Sequence, residues 1–138
     1  MRQIQTTLTV ATRRGLTDIT GQVREAVRAA GIATGLCTIY IRHTSASLVI
    51  QENADPAVLV DLEAFLSRLV RDGDPLFTHI DEGDDDMPSH VKSALTKTSE
   101  SIPVADGAPA LGTWQAVYVW EHRRGARRRT IVVHVIGE

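Results

Sequence analysis

The chain has 138 residues, of which 43% are hydrophobic and 23% are charged, and its formal net charge at pH 7 is −2. These values are typical of a soluble protein with one domain, spanning residues 1–138. The small charge gives no electrostatic basis for nucleic acid or an anionic membrane as the main partner. Apolar runs fall far short of the roughly 20 residues of a membrane span, no signal-peptide core is evident, and the single cysteine, Cys37, excludes an intrachain disulfide. We therefore expect a cytoplasmic protein.

The first half of the chain predicts three strands and two helices. Thr17 or Thr20 can cap the first helix, whose apolar residues follow helical spacing, and Gly31 is placed to end it. Asp55 and Pro56 predict the start of the second helix, since aspartate is a favoured cap and proline suits the first helical position. Alternation of apolar and polar residues predicts the strands, over residues 3–11, 36–43 and 48–52.

The second half predicts one short helix and three strands after a loop over residues 76–86. Asp85 or Asp86 can cap the helix. Pro103 cannot donate to a β-ladder, so its strand is expected at a sheet edge. The last two strands are predicted to form an antiparallel hairpin through the basic segment 123–127. With about two strands for each helix, the fold class is α+β, with a mostly antiparallel sheet or sandwich and about three helices. These three strands are predicted over residues 101–104, 111–121 and 130–136.

Three of the five histidines are candidate site residues, because they lie at a strand end (His43), in the 76–86 loop (His79) and on the third helix (His90). No local ligand pair such as His-x-His or His-Glu-x-x-His occurs. A metal site would need the three imidazoles to converge from separate elements, and spacing alone leaves open that they are unrelated surface residues. His134 is expected to be a core or interface histidine, and His122 to be solvated.

Carboxylates, hydroxyls and cations near these histidines could complete a site. Glu52 would lie about 20 Å from His43 if the two flanking strands formed a tight hairpin, at ~3.3 Å per residue. The segment Thr44–Ser47 offers hydroxyls and backbone N–H groups that suit a phosphate or carboxylate. We interpret the acidic run Asp81–Asp86 as a solvated loop with a helix cap, and the basic cluster Arg123–Arg129 as a solvated tip that is also a candidate for anion binding.

The stretch Leu111–Glu121 holds both tryptophans of a chain in which only 4% of residues are aromatic. Period two places Gln115 and Glu121 on one strand face with two valines, where polar groups need partners or a ligand. We expect one of these two residues to hydrogen-bond to the histidine cluster or to a neighbouring chain. Trp114 is expected to anchor the core or a subunit contact.

An ordered set of motifs resembles the YjbQ-type proteins, small bacterial and archaeal proteins often catalogued as secondary thiamine-phosphate synthases. The resemblance covers essentially the whole chain. A basic version of the tip, at 121–125, is the clearest local departure. The motifs are His43-Thr44-Ser45-Ala46-Ser47-Leu48, Glu52-Asn53-Ala54-Asp55 with Asp61, His79, Asp85-Asp86-Met87-Pro88-Ser89-His90-Val91-Lys92, and Leu111-Gly112-Thr113-Trp114-Gln115 with Glu121.

The resemblance implies an α+β fold, a homotrimer with sites near subunit boundaries, and a polar pocket with His43, His79 and His90 around a divalent metal, zinc or magnesium. The implied activity is weak: a pyrimidine pyrophosphate is joined to a thiazole phosphate, and pyrophosphate leaves. The residues support this only in part, because no Asp-rich magnesium motif is present and histidine is a poorer ligand for magnesium than for zinc. A different main substrate therefore stays open.

Two hypotheses from different classes follow. The first is an enzyme, transferase-like, that acts on a phosphorylated small molecule; its alternative is a non-catalytic binding or assembly protein whose histidines and Glu52 hold a homotrimer together. In the enzyme, the assigned roles are catalysis (His43, Glu52), substrate binding (Thr44, Ser45, Gln115) and metal ligation (His43, His79, His90).

Overall fold

Eight strands and three helices make up the fold, in a computed structural model that describes residues 1–138. No helix is both long enough and apolar enough to cross a membrane. In chain order the elements are β1 (Arg2–Thr12), β2 (Gly15–Asp18), α1 (Thr20–Ala30), β3 (Gly35–Ile41), β4 (Ala46–Glu52), α2 (Pro56–Leu69), α3 (Asp86–Leu95), β5 (Ser99–Ala105), β6 (Ala108–Pro109), β7 (Gln115–Glu121) and β8 (Arg127–Gly137).

The strands form two antiparallel sheets. The large sheet has the order β1-β8-β3-β5-β6, and the small sheet has the order β2-β7-β4. In the large sheet, Ile131 of β8 lies opposite both Leu8 of β1 and Ile41 of β3. In the small sheet, Val119 of β7 lies opposite Leu48 of β4. The predicted α+β class with three helices and mostly antiparallel strands is confirmed.

The predicted hairpin between the last two strands is wrong, because β7 and β8 belong to different sheets. The reason is that both edges of β7 are already paired, one with β4 and the other with β2. β2 has four residues, of which only Leu16 is a large apolar residue, so no alternation marks this segment as a strand. β5 is likewise not the sheet edge that Pro103 suggested, since the two-residue β6 pairs with it.

One hydrophobic cluster fills the space between the sheets and α1. Helix α1 buries Val23, Val27 and Ala30, which follow helical spacing along one face. Gly31 ends this helix in the left-handed region at φ 66°, as predicted. The cap prediction for α1 is wrong, because the Thr20 hydroxyl instead accepts a hydrogen bond from the backbone N–H of Val117.

Helix α2 begins as the sequence predicts. The Asp55 carboxylate accepts a hydrogen bond from the N–H of Ala57 at 2.9 Å, and Pro56 is the first helical residue. Helix α3 follows Asp85, whose side chain makes no capping hydrogen bond. The carboxylate of Asp85 has another partner, described with the site.

Trp114 does not anchor the core, because it precedes β7 and its side chain is 63% exposed. Both faces of β7 are buried instead, from Ala116 to Glu121. One face of β7 packs into the core through Val117 and Val119, and the other meets α2, where the Trp120 indole N–H donates to Glu63. Its period-two pattern therefore does not separate an exposed face from a buried one.

A buried ion pair joins the two sheets. Arg129 of β8 donates from Nε and Nη2 to the two carboxylate oxygens of Glu121 of β7, at 2.6 and 2.5 Å. The Thr12 hydroxyl at the end of β1 donates to the same carboxylate at 2.6 Å. Burial opposes ionisation of Glu121, but these hydrogen bonds outweigh it and hold its pKa below the ordinary value. Glu121 thus has its partners within its own chain, and none of them is a histidine of the predicted cluster.

Replacing Arg129 by methionine leaves the Glu121 carboxylate buried without its guanidinium. We expect Arg129→Met to lower the free energy of unfolding by about 3–5 kcal/mol, measured by urea denaturation at pH 7. The matched control is Arg128→Met, at the next position, where the side chain is exposed; it should change the value by less than about 0.5 kcal/mol. Equal losses in both variants would contradict a structural role for the pair.

Candidate metal site

Two histidines and one aspartate converge beside the first turns of α3. The Nε2 atoms of His79 and His90 lie 2.8 and 3.1 Å from Oδ2 of Asp86. The three ligand atoms are all within 4.8 Å of one another. Asp86 and His90 share one helix face because they are four residues apart, and His79 approaches from the preceding loop. We call these residues the His/Asp cluster.

The contacts of His90 show which of its two ring nitrogens carries a proton. Its Nδ1 lies 2.7 Å from the backbone carbonyl oxygen of Thr44. A carbonyl oxygen can only accept, so Nδ1 must carry a proton. In neutral His90 the Nε2 lone pair therefore points at the carboxylate of Asp86, and two acceptors face each other across 3.1 Å. A proton or a cation must lie between them.

Asp86 is held as an ionised carboxylate, although its side chain is almost fully buried. Its Oδ1 forms an ion pair with Nη1 of Arg123 at 2.8 Å, which leaves Oδ2 free for the two imidazoles. Burial raises the pKa of Asp86, but the hydrogen bond from His79 and the nearby charges of His90 and Arg123 outweigh it, so the pKa lies below its ordinary value.

The prediction of a solvated acidic run holds for residues 81–84, which are exposed, but not for Asp85 and Asp86, which are buried. The basic tip is exposed at Arg124 and Arg128, whereas Arg123 is half-buried and Arg129 is buried. Arg123 donates from Nε to the Asp85 carboxylate at 3.0 Å, and the N–H of Arg124 donates to the same oxygen at 2.9 Å. Arg124 also forms an ion pair with Asp84. The two charged segments neutralise each other, which is why Asp85 and Asp86 can be buried.

The donor set fits a divalent first-row metal. Imidazole nitrogen and carboxylate oxygen are ordinary zinc ligands, and bonds of about 2.0–2.2 Å in a tetrahedron separate ligand atoms by about 3.3–3.6 Å. The observed separations of 2.8 and 3.1 Å are hydrogen-bond distances, so Asp86 and the two imidazoles would have to move apart slightly to hold an ion. Three protein ligands, one of them the exposed His79, leave a coordination position for water or substrate. Nitrogen ligands make magnesium the poorer choice.

His43 lies outside the His/Asp cluster. Its Nε2 accepts a hydrogen bond from the backbone N–H of Thr130 at 2.8 Å, and its Nδ1 faces Nη1 of Arg129 at 3.3 Å. Burial, followed by the charge of Arg129, lowers the pKa of His43. Both ring nitrogens therefore face β8 rather than α3. Of the three predicted histidine ligands, the structure brings together two and adds Asp86.

The other predicted site residues have separate partners. Ser45 is buried, and its hydroxyl accepts from Nη2 of Arg129 at 2.9 Å. Glu52 is paired with Gln115, whereas Ala46 at the other end of β4 is paired with Glu121; at ~3.3 Å per residue the strand places Glu52 about 20 Å from the Ala46 end. The Gln115 side chain is exposed and accepts from the N–H of Gly112. Thr44 contributes through its carbonyl to His90.

Sequence reasoning missed the buried role of His122 and the place of Lys92. His122 was expected to be solvated, but it is fully buried, with Nε2 at 2.9 Å from the Ser47 hydroxyl. Burial lowers its pKa to about 3. Lys92 is buried on α3 without a hydrogen-bond partner, and burial lowers its pKa too.

His134 is not a core residue; it lies half-buried between Gln3 and Gln5 on the outer face of the large sheet.

One signal could have found Asp86. The spacing of four residues between Asp86 and His90 places a carboxylate and an imidazole on one face of a predicted helix. For His122 and Lys92 the sequence offers no such signal, because both lie among charged or polar neighbours that are typical of a surface.

Comparison with known proteins relates this chain to a family. A family profile described as "UPF0047 protein YjbQ-like" matches residues 4–138, which include the whole His/Asp cluster. The chain belongs to this YjbQ-like family. It is 51% identical over 138 residues to the UPF0047 protein sll1880 of Synechocystis, covering 99% of this chain and 94% of that protein. It is 39% identical to UPF0047 protein YjbQ of Escherichia coli O157:H7, covering 97% and 98%.

Solved structures show the same fold. The crystal structure of hypothetical protein APE1520 from Aeropyrum pernix superposes with a TM-score of 0.88 at 32% identity, over 98% of this chain and 99% of that one. The conserved hypothetical protein TT1486 from Thermus thermophilus gives a TM-score of 0.85 at 33% identity, over 95% and 99%. The resemblance to YjbQ-type proteins that the sequence motifs indicated is confirmed by the family profile and by the curated relatives.

The buried neutral state of His122 makes stability depend on pH. Its folded pKa of about 3 lies below the ordinary value of 6.5, so its contribution is complete above pH 6.5 and is lost as pH falls toward 3. Between pH 7.5 and 5 we expect the wild type to lose about 2 kcal/mol more unfolding free energy than His122→Gln, by urea denaturation at both values. The control His134→Gln should follow the wild type; identical losses in all three proteins would refute a neutral buried His122.

Proposed function

We propose that the protein is an enzyme that acts on a phosphorylated small molecule at a divalent metal ion held by His79, Asp86 and His90. The observation that carries this proposal is the contact between His90 and Asp86: the Thr44 carbonyl fixes a proton on Nδ1 of His90, so its Nε2 meets the Asp86 carboxylate across 3.1 Å, where either a second proton or a metal cation would join them, and we propose the metal. Zinc, or another first-row divalent ion that favours nitrogen, suits this position.

The residues around the ligands support this use. Metal-bound histidines commonly donate their second N–H to a backbone carbonyl, as His90 does to Thr44. Arg123 orients Asp86 by pairing with the oxygen that does not face the imidazoles. A bound divalent metal would supply Lewis acidity toward a phosphoryl or pyrophosphoryl oxygen. The chain's own part is to fix the three ligand atoms and to keep one side of the cluster accessible through His79.

A pocket adjoining His79 suits the organic part of such a substrate. Its volume is about 360 Å³, and Phe77, Ile80 and Met87 are among its lining residues. Asp74 and Asp84 also line it, and carboxylates accept hydrogen bonds from the amino groups of a heterocycle. This chemistry is compatible with an aminopyrimidine pyrophosphate, so we propose the thiamine-phosphate synthase reaction as a weak activity of the same site.

The assembly alternative receives less support. The Glu52 carboxylate accepts from the backbone N–H of Asp55 in its own chain, and the cluster histidines have partners within the chain. We infer that a homotrimer forms through the outer face of the large sheet, where Leu36 and Tyr40 are 41% and 49% exposed. The contacts between copies of the chain would then lie on this sheet face and not at the His/Asp cluster.

Metal content tests the proposed site directly. Protein loaded with zinc and dialysed should retain about one ion per chain, measured by inductively coupled plasma mass spectrometry, because three ligands converge on one point. His79→Ala and His90→Ala should each lose most of the metal. His43→Ala should retain it, because the ring nitrogens of His43 face β8.

The matched control for metal binding is His134→Ala, which removes an imidazole from the outer face of the large sheet. Circular dichroism should show that all four variants are folded. Metal loss in His43→Ala with retention in His79→Ala would contradict the assignment, as would a wild-type chain that binds no divalent ion.

Activity separates the enzyme from a metal-binding protein without catalysis. Zinc-loaded wild type should convert at least one member of a panel of phosphorylated heterocycles, including the pyrimidine pyrophosphate and thiazole phosphate pair, followed by release of phosphate or pyrophosphate. His90→Ala should lower kcat/KM by more than about 100-fold, since changes to the outer partners of metal ligands already cost 10–100-fold. Turnover that His90→Ala leaves intact would refute the assignment.

A further inference from the structure

A second polar pocket lies on the other side of α3 from the His/Asp cluster. Lys92 follows His90 by two residues, so the two side chains leave the helix roughly 200° apart. Lys92 lines a pocket of about 380 Å³ that has no hydrophobic residue in its wall. We call it the basic pocket; its lining residues are Arg14, Ser67, Arg68, Arg71, Asp72 and Lys92.

Two donors in the basic pocket are buried without a partner in the chain. The Lys92 side chain is 1% exposed, and its Nζ makes no hydrogen bond. Nε of Arg14 is also buried and unpaired. Proteins almost always pair such groups, because an unpaired buried charge costs several kcal/mol. Both residues line the same cavity, so an oxyanion bound there would bring acceptor oxygens close to two donors that lack partners.

The nearby carboxylates do not meet this need. Asp72 is already bound by Arg14, whose Nη1 and Nη2 donate to its two oxygens at 2.9 and 3.1 Å. Glu63 accepts from the indole N–H of Trp120 through one oxygen at 3.4 Å, and its other oxygen has no partner. No hydrogen bond joins Glu63 to Lys92.

The balance of charge favours an anion. Arg14 and Asp72 neutralise each other, and Glu63 offsets one further cation. Of the three remaining cations, Lys92, Arg68 and Arg71, two are therefore in excess, and the two arginines are exposed at the rim. Guanidinium and ammonium groups together bind phosphate oxygens through charge-assisted hydrogen bonds. Ser67 adds a hydroxyl group to the same wall.

We propose that the basic pocket is a binding site for a phosphate-type oxyanion, borne by a small molecule or free, and that it is separate from the His/Asp cluster. Lys92 and Nε of Arg14 form its floor, and Arg68 and Arg71 close over the anion from the rim. The proposal does not depend on metal binding or on catalysis at the His/Asp cluster.

The test is calorimetric titration of the full chain, treated with a chelator to remove metal, with inorganic phosphate at low ionic strength and pH 7. One saturable site is expected. Lys92→Met should weaken it at least 10-fold. A change at the buried Lys92 can also disturb folding, so a second variant is needed. The double variant Arg68→Met/Arg71→Met changes two exposed positions and should also weaken phosphate binding at least 10-fold. The control Arg128→Met should bind as the wild type does.

A phosphomonoester, ribose 5-phosphate, distinguishes the two sources of the anion: tighter binding than inorganic phosphate assigns the pocket to a phosphorylated molecule, and equal binding assigns it to the free ion. Absence of saturable binding to the wild type would overturn the proposal. So would binding that survives Arg68→Met/Arg71→Met unchanged, or binding that His90→Ala removes, which would place the anion at the His/Asp cluster.

Discussion

The buried pair of Glu121 and Arg129 is the constraint on which the arrangement of the two sheets depends. Glu121 ends a strand of the small sheet, and Arg129 lies in β8 of the large sheet. A carboxylate with no exposed surface is tolerated only because a guanidinium and the Thr12 hydroxyl satisfy its oxygens. The same arginine donates to Ser45, so one ion pair fixes the ends of both sheets and the connection that leads from β3 into β4.

The His/Asp cluster is built on that fixed end. The Thr44 carbonyl orients His90, and the Ser93 hydroxyl donates to the Ala46 carbonyl, so α3 is attached to the β3–β4 connection at two points. Arg123, two residues after Glu121, holds Asp86 from the opposite side. Rigid positions for the ligands therefore follow from contacts with backbone groups whose place the sheets have already determined.

Local rules predicted those elements whose signals are local. Gly31 and Asp55 act at a helix end and a helix start through contacts within a few residues, and both predictions are confirmed. The division into two sheets could not be predicted, because it depends on the four-residue β2 beside β7. The burial of Asp86 and of His122 was missed for a related reason: in sequence each has polar or charged neighbours. Only the fold shows that Arg123 neutralises Asp86 and that His122 is enclosed beside the Ser47 hydroxyl.

Helix α3 separates two kinds of chemistry with very different demands. On one face, Asp86 and His90 bring a carboxylate oxygen and an imidazole nitrogen within 3.1 Å, at the proposed metal site. On another, Lys92 has a buried ammonium group without a hydrogen-bond partner, beside the proposed anion site. The residue between them in sequence is Val91, so the backbone at this point is shared by both faces. The two proposed sites share no side chain, so a cation at the first and an oxyanion at the second could be bound at the same time.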